Sequence, residues 1–242
     1  MDEQTVYGIK ATHALFERRP HAIKRLFHRA DRRERLRGIL SWLAAQRLPY
    51  RELDEEGLRK VAGSPHHEGV VAVTEPLQYA AFPRGERAAG GLAEGAWVAV
   101  DGVDNPHNVG AIVRSAAFFG ARGLLAGGVG PGDKVNTALL RVSEGGAEYL
   151  QMIGAGNLAE SLKRVPRGWS VLGLETDATT PIEQAPRASA FVLVVGNEQT
   201  GLTPAVRQSC TGLYSIRGRG SIGSLNVSVA AGIALARLVP QG

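Results

Sequence analysis

From residue 96 onward the chain alternates short, nearly continuous apolar runs with helical stretches, and this alternation restricts the fold more than any other feature. The runs are WVAVDGV (97–103), GLLAGG (123–128), SVLGLET (170–176), FVLVVG (191–196) and LYSIRG (213–218). Helical patterns fill the intervals at Val109–Phe119, Lys134–Arg141, Asn157–Val165 and Thr203–Gln208, and a last one runs over Asn226–Val239. A strand that is apolar on both faces must be covered on both faces, which antiparallel hairpins rarely achieve and helical crossovers do. The pattern therefore predicts an α/β fold with a parallel sheet sandwiched between helices.

Residues 1–76 read as a separate small α/β unit. A glycine-punctuated entry leads into a short helix that stops at Pro20, and AIKRLFH then alternates as a strand. Asp31–Arg47 places Leu36, Ile39, Leu40, Leu43 and Ala44 on one helical face, with arginines opposite. A short strand at 49–53, a helix at Glu55–Ala62 and a strand at 69–75 complete the unit. Residues 77–95 shift to Ala, Gly, Pro and charge, and read as a linker to the domain at 96–242.

With 44% hydrophobic and 21% charged residues the chain belongs among ordinary globular proteins. The single cysteine, Cys210, forbids an intrachain disulfide, and an acidic, polar start argues against a secretory signal; a cytoplasmic location is expected. The apolar run Val227–Val239 is broken by Ser228 and Arg237 and is too short for a bilayer, so no membrane association is expected. The net charge of +5 is unevenly distributed: ten Lys or Arg stand against three acids between Lys10 and Arg37. Such a patch fits a polyanion, although a charge run taken alone reads first as a solvated helix face. His66 and His67 lack the Cys or carboxylate company of a metal centre beyond Glu68, and no metal is expected.

Three polar, glycine-bearing segments follow strands and precede helices: DNPHNVGAIVRS (104–115), GNEQTGL (196–202) and RGRGSIGSLNVS (217–228). In a parallel sheet such loops converge at the carboxyl edge, where open α/β sheets bind ligands. Gly218, Gly220 and Gly223 spell G-x-G-x-x-G, yet no acid follows Glu198 to take ribose hydroxyls, so a dinucleotide-dependent dehydrogenase is a remote reading.

In order and spacing, the three segments resemble the motifs of the SpoU–TrmH class of RNA 2′-O-ribose methyltransferases, over residues 97–239. VYGIKATHALFE and HHEGVVAV are similar to the ends of that family's small RNA-substrate-binding domain. The resemblance implies an S-adenosylmethionine-dependent enzyme acting on ribosomal or transfer RNA, usually a homodimer, with a trefoil-knotted C-terminal part. It implies a catalytic set of Asn108, Arg114, Glu198, Ser224 and Asn226. It also implies a cofactor site at Gly196, Asn197, Gly201, Ile216, Gly218, Gly220, Ser224 and Leu225.

Other roles are available to the same residues. Asn108, Asn226 and especially Ser224 suit helix N-caps, Arg114 suits a snorkelling side chain, and Glu198 could orient Arg114 or a neighbouring Asn. Two departures from the family stand out. Arg217-Gly218 replaces a proline and an apolar residue, and Ala116 and Ala117 occupy the region after Arg114 where an acid is expected. The altered 217–218 loop motivates an alternative, an RNA-binding or ribosome-assembly protein on the same fold that has lost turnover.

Overall fold

A computed structural model of the chain describes residues 2–83 and 92–240. The first part forms a four-stranded sheet in the order β1-β4-β2-β3, from β1 (Gln4–Tyr7), β2 (Ile23–His28), β3 (Tyr50–Glu52) and β4 (Val70–Thr74). Helices α1 (Ile9–Arg18), α2 (Arg37–Ala45) and α3 (Glu55–Ala62) connect these strands. The expected helix from Asp31 starts later, because Ala30–Arg32 forms a 3-10 turn and no side chain caps α2. Helix α1 gains its first hydrogen bond from far away: the Ile9 N–H donates to the Glu68 carboxylate at 3.1 Å.

The second sheet has eight strands, every neighbouring pair parallel. They are β5 (Ala80–Ala81), β6 (Ala96–Asp101), β7 (Gly123–Gly127), β8 (Gln151–Gly156), β9 (Ser170–Leu174), β10 (Thr180–Pro181), β11 (Phe191–Gly196) and β12 (Gly212–Ser215). The order is β10-β12-β9-β11-β6-β7-β8-β5. The chain builds outward from β6 through β7 to β8, then returns to lay β11 on the other side of β6. That reversal puts a switch point between β6 and β11, the kind of place where open sheets hold ligands. Helices α4 (Pro106–Phe118), α5 (Thr137–Val142), α6 (Gly146–Tyr149), α7 (Leu158–Leu162), α8 (Pro204–Gln208) and α9 (Val227–Leu238) cover the faces.

Every residue of β6 and β11 is buried, as the unbroken apolar runs require. Helix starts are set by asparagine: Asn105, Asn136, Asn157 and Asn226 each accept a backbone N–H at the head of α4, α5, α7 and α9.

Two strand-forming segments were hidden in the sequence. QMIGAG (β8) carries two glycines that dilute its apolar signal. Ala80–Ala81 lies inside the stretch read as linker, yet pairs with β8 at Ile153 and Gly154; two residues are too few to show any periodicity. The rest of that stretch, 84–91, lies outside the described residues. Nor are the two parts loosely joined. Buried side chains from both, such as Leu15, Leu26, Leu139 and Ala147, belong to one continuous core. Gln4 crosses the boundary, donating to the Val135 carbonyl at 2.5 Å and accepting from the Leu77 N–H at 2.9 Å. Arg19 forks onto the buried Glu148 at 2.6 and 2.9 Å.

Packing in the sheet is tight at Gly123, where a Cβ would sit 2.5 Å from the Gln151 carbonyl oxygen and against the Trp97 ring. Trp97 is fully buried and cannot move aside. Overpacking of this kind costs about 2 kcal/mol or more. Gly123→Ala is expected to lower the melting temperature by roughly 5 °C or more, and a scan matching the parent would show that the β6–β7 contact is looser than described.

Candidate functional site

The three loops meet at the carboxyl edge. The first leaves β6 through Gly102, which takes φ +65°, and enters α4. The second is a tight turn closed by reciprocal bonds, Asn197 N–H to Gly201 O at 3.1 Å and Gly201 N–H to Asn197 O at 2.9 Å. Gly201 needs its glycine, with φ +68°. Gly196 needs its own for space, since a Cβ there would press on the Gly201 carbonyl and lie 2.6 Å from Leu202 N. The third loop runs from Ile216 to Leu225 and ends at α9.

Asn197 ties two loops together. Its Nδ2 donates to the Gly102 carbonyl at 2.8 Å, while its Oδ1 accepts from the Gln199 and Thr200 N–H groups. Behind them, the buried Asp101 carboxylate accepts the Thr203 N–H at 2.7 Å at the head of α8.

A chain of side-chain bonds then joins all three loops. Asn108 Nδ2 donates to Glu198 Oε1, and Asn226 Nδ2 donates to Asn108 Oδ1 at 3.1 Å. Asn226 Oδ1 in turn accepts from the Ser228 N–H at 2.9 Å and the Ser228 hydroxyl at 2.6 Å. Each amide is held in one orientation by a partner that can only accept or only donate at that point. Asn108 is therefore not the N-cap of its helix. Asn105 does that work, accepting from the His107 N–H at 2.9 Å, and Asn108, one turn in, is free to face the other loops. Ser224 is likewise no cap; Asn226 is, and Ser224 stays on the exposed loop.

Arg114 does not join this network. It sits further along α4, half exposed, and its ion-pair partner among the described residues is Glu144 at 2.9 Å. The acid missing after Arg114 in sequence is thus supplied across space.

Beside the network lies a cavity of about 670 Å³, in the range of small-molecule sites. Leu174, Val195, Ile216, Leu225 and Ile233 give it apolar walls, and the 196–202 turn gives it backbone. Gly196, Asn197, Gly201, Ile216, Gly218, Ser224 and Leu225 all line it; Gly220 does not. Neither Gly218 nor Gly220 adopts a left-handed φ. Arg217 lines the cavity as well, and its Nη2 donates to the Thr179 carbonyl at 2.6 Å.

Sequence reasoning missed Glu175, Asp177 and Arg207 in the cavity wall, where Glu175 and Arg207 pair at 3.2 Å. The signal for Glu175 was a carboxylate placed directly after an apolar strand, in GLET. Burial, helped by Glu175 and Asp101, pushes the nearby Cys210 thiol up to about 12. Cys210 is therefore a thiol at neutral pH and no nucleophile.

Residues 95–236 match the SpoU rRNA methylase family, and residues 5–80 match the family described as RNA 2′-O ribose methyltransferase substrate binding. The chain belongs to the SpoU rRNA methylase family. One relative, the 23S rRNA (guanosine-2′-O-)-methyltransferase RlmB of Ralstonia nicotianae, is 34% identical over 97% of this chain and 94% of its own length. The RlmB of Pseudomonas aeruginosa is 33% identical over 98% and 96%. Among solved structures, an AdoMet-bound rRNA methyltransferase from Sinorhizobium meliloti superposes with a TM-score of 0.76 over 98% of this chain and 86% of that one, at 22% identity. That likeness speaks to the fold, an α/β parallel sheet with a small N-terminal unit.

Proposed function

We propose that this chain transfers a methyl group from S-adenosylmethionine to a ribose 2′-hydroxyl of ribosomal or transfer RNA. The observation that carries the reading is the Asn226–Asn108–Glu198 chain of bonds beside the cavity. It is reinforced by family membership and by relatives named for guanosine 2′-O-methylation. The cavity suits the donor: apolar walls for an adenine, and backbone of the 196–202 turn for its polar edge. When bound, the donor supplies an electrophilic methyl on a sulfonium.

A ribose hydroxyl is a weak nucleophile, so the protein's task is to align it and accept its proton. We assign alignment to Asn108, Ser224 and Asn226. The two amides each keep an N–H that the network does not use. Glu198, whose Oε1 takes the Asn108 amide, offers its second oxygen to the hydroxyl proton. Arg114 is a poor base, since arginine stays protonated above pH 12, and a guanidinium fork suits the phosphate next to the reacting ribose. Asn197 serves as scaffold for the donor site rather than as a contact.

In the same reading, 1–76 is the RNA-substrate-binding domain, 77–95 the connection, and 96–242 the trefoil-knotted methyltransferase domain, working in the cytoplasm. Arginines of the small domain would grip RNA mainly by phosphate. Several are already balanced: Arg29 pairs with Asp31 and Glu55, and Arg25 with Glu3. The grip therefore falls to others, such as Arg33 and Arg35. A homodimer is supported by Phe118 and Val229, apolar side chains left 82% and 50% exposed on the packed pair α4 and α9. Arg114 lies one turn before Phe118 on the same face of α4.

Incubation with methyl-labelled S-adenosylmethionine and ribosomal RNA is expected to give label in alkali-resistant dinucleotides, the mark of a blocked 2′-hydroxyl. Label confined to bases would refute the ribose assignment. Sedimentation equilibrium is expected to give twice the chain mass, with Phe118→Asp shifting it toward monomer. A wild-type monomer at micromolar concentration would refute the dimer.

A further inference from the structure

We infer that Glu144 is a positioning residue for Arg114, and that it makes the placement of this arginine depend on the seating of α1 from the small domain. The inference rests on the reading above that Arg114 serves the transfer. One carboxylate bridges two parts of the molecule: Glu144 Oε1 accepts from Arg114 Nη1 at 2.9 Å, and Oε2 accepts from Lys10 Nζ at 2.7 Å. Lys10 belongs to α1 and Arg114 to α4. The Lys10 ammonium first, and the Arg114 guanidinium with it, hold the Glu144 carboxyl below its usual range, although partial burial pulls the other way. The carboxylate is thus the charged partner of both cations at any working pH.

The backbone provides a second, independent observation. Glu144 takes φ +47°, a left-handed conformation that glycine adopts freely and a long side chain does not. The residues beside it fix that turn in place. Gly145 has φ +92°, and a Cβ on it would lie 2.5 Å from the Ala14 Cβ of α1. A Cβ on Gly146 would lie 3.3 Å from the Arg114 Cα of α4. The turn is therefore clamped between the helix of the small domain and the helix that carries Arg114. Strain held at one residue, where glycine would relieve it, points to a task for the side chain. Arg114 commits one N–H to this bond and retains the others for an incoming phosphate.

Stability and turnover should separate in the test. Glu144→Gly is expected to melt no lower than the parent and to bind S-adenosylmethionine equally well. Its kcat for RNA methylation should fall about tenfold or more, with KM for RNA changed far less. Lys10→Met should cost less, and the double variant should be no slower than Glu144→Gly alone, because Lys10 acts through the same carboxylate. Glu144→Asn, which tolerates left-handed backbone without the charge, should behave like Glu144→Gly. Wild-type kcat in both Glu144 variants, or losses that add in the double variant, would overturn the inference. A parent enzyme without transfer activity would instead refute the ribose-methylation reading. A readout free of activity covers that case. Phenylglyoxal modification of Arg114, followed by mass spectrometry, should be faster in Glu144→Gly, and an unchanged rate overturns the positioning role.

Discussion

Complete burial of the two central strands, β6 and β11, is the constraint on which the rest of this molecule depends. Parallel strands covered on both faces leave no exposed sheet surface for chemistry. Polar side chains can collect only where strands end, and the strand order reverses between β6 and β11. The loops after these two strands carry Asn108 and Glu198, and the loop before α9 brings Asn226 to meet them. Apolar burial thus decides where the hydrogen-bonded network can be.

The alternation of apolar runs and helical stretches made the parallel sheet and its covering helices legible in the sequence, and glycine-bearing loops after strands made the site's location legible. What escaped was set by contacts distant in the chain. Asn108 suits a cap on paper; only the fold shows that Asn105 caps α4 while Asn108 is spent on the other loops. The pairing of Arg114 with Glu144 spans thirty positions and has no periodic signature. Glu175, Asp177 and Arg207 were passed over because a charge after a strand reads as ordinary solvation.

The glycines of 218–223 suggested a phosphate cradle by their spacing alone. None adopts a left-handed φ, and the first helical residue after them is Val227. The glycines that the backbone does require are elsewhere: Gly201 by its φ, Gly196 and Gly123 by the space they leave. The two parts of the chain are also firmly joined. A shared core and the ion pairs of Lys10 and Arg19 with the 144–148 segment fasten the small domain to the helices beside the site.

The central claim is that the cavity and the Asn226–Asn108–Glu198 network form one site. A crystal structure with S-adenosylhomocysteine tests it most directly. The account predicts the adenosyl group between Gly196 and Leu225, with the sulfur directed at Asn108 and Asn226 and both amide bonds intact. Occupancy of another cavity, or a bound ligand whose sulfur faces away from these asparagines, would contradict it.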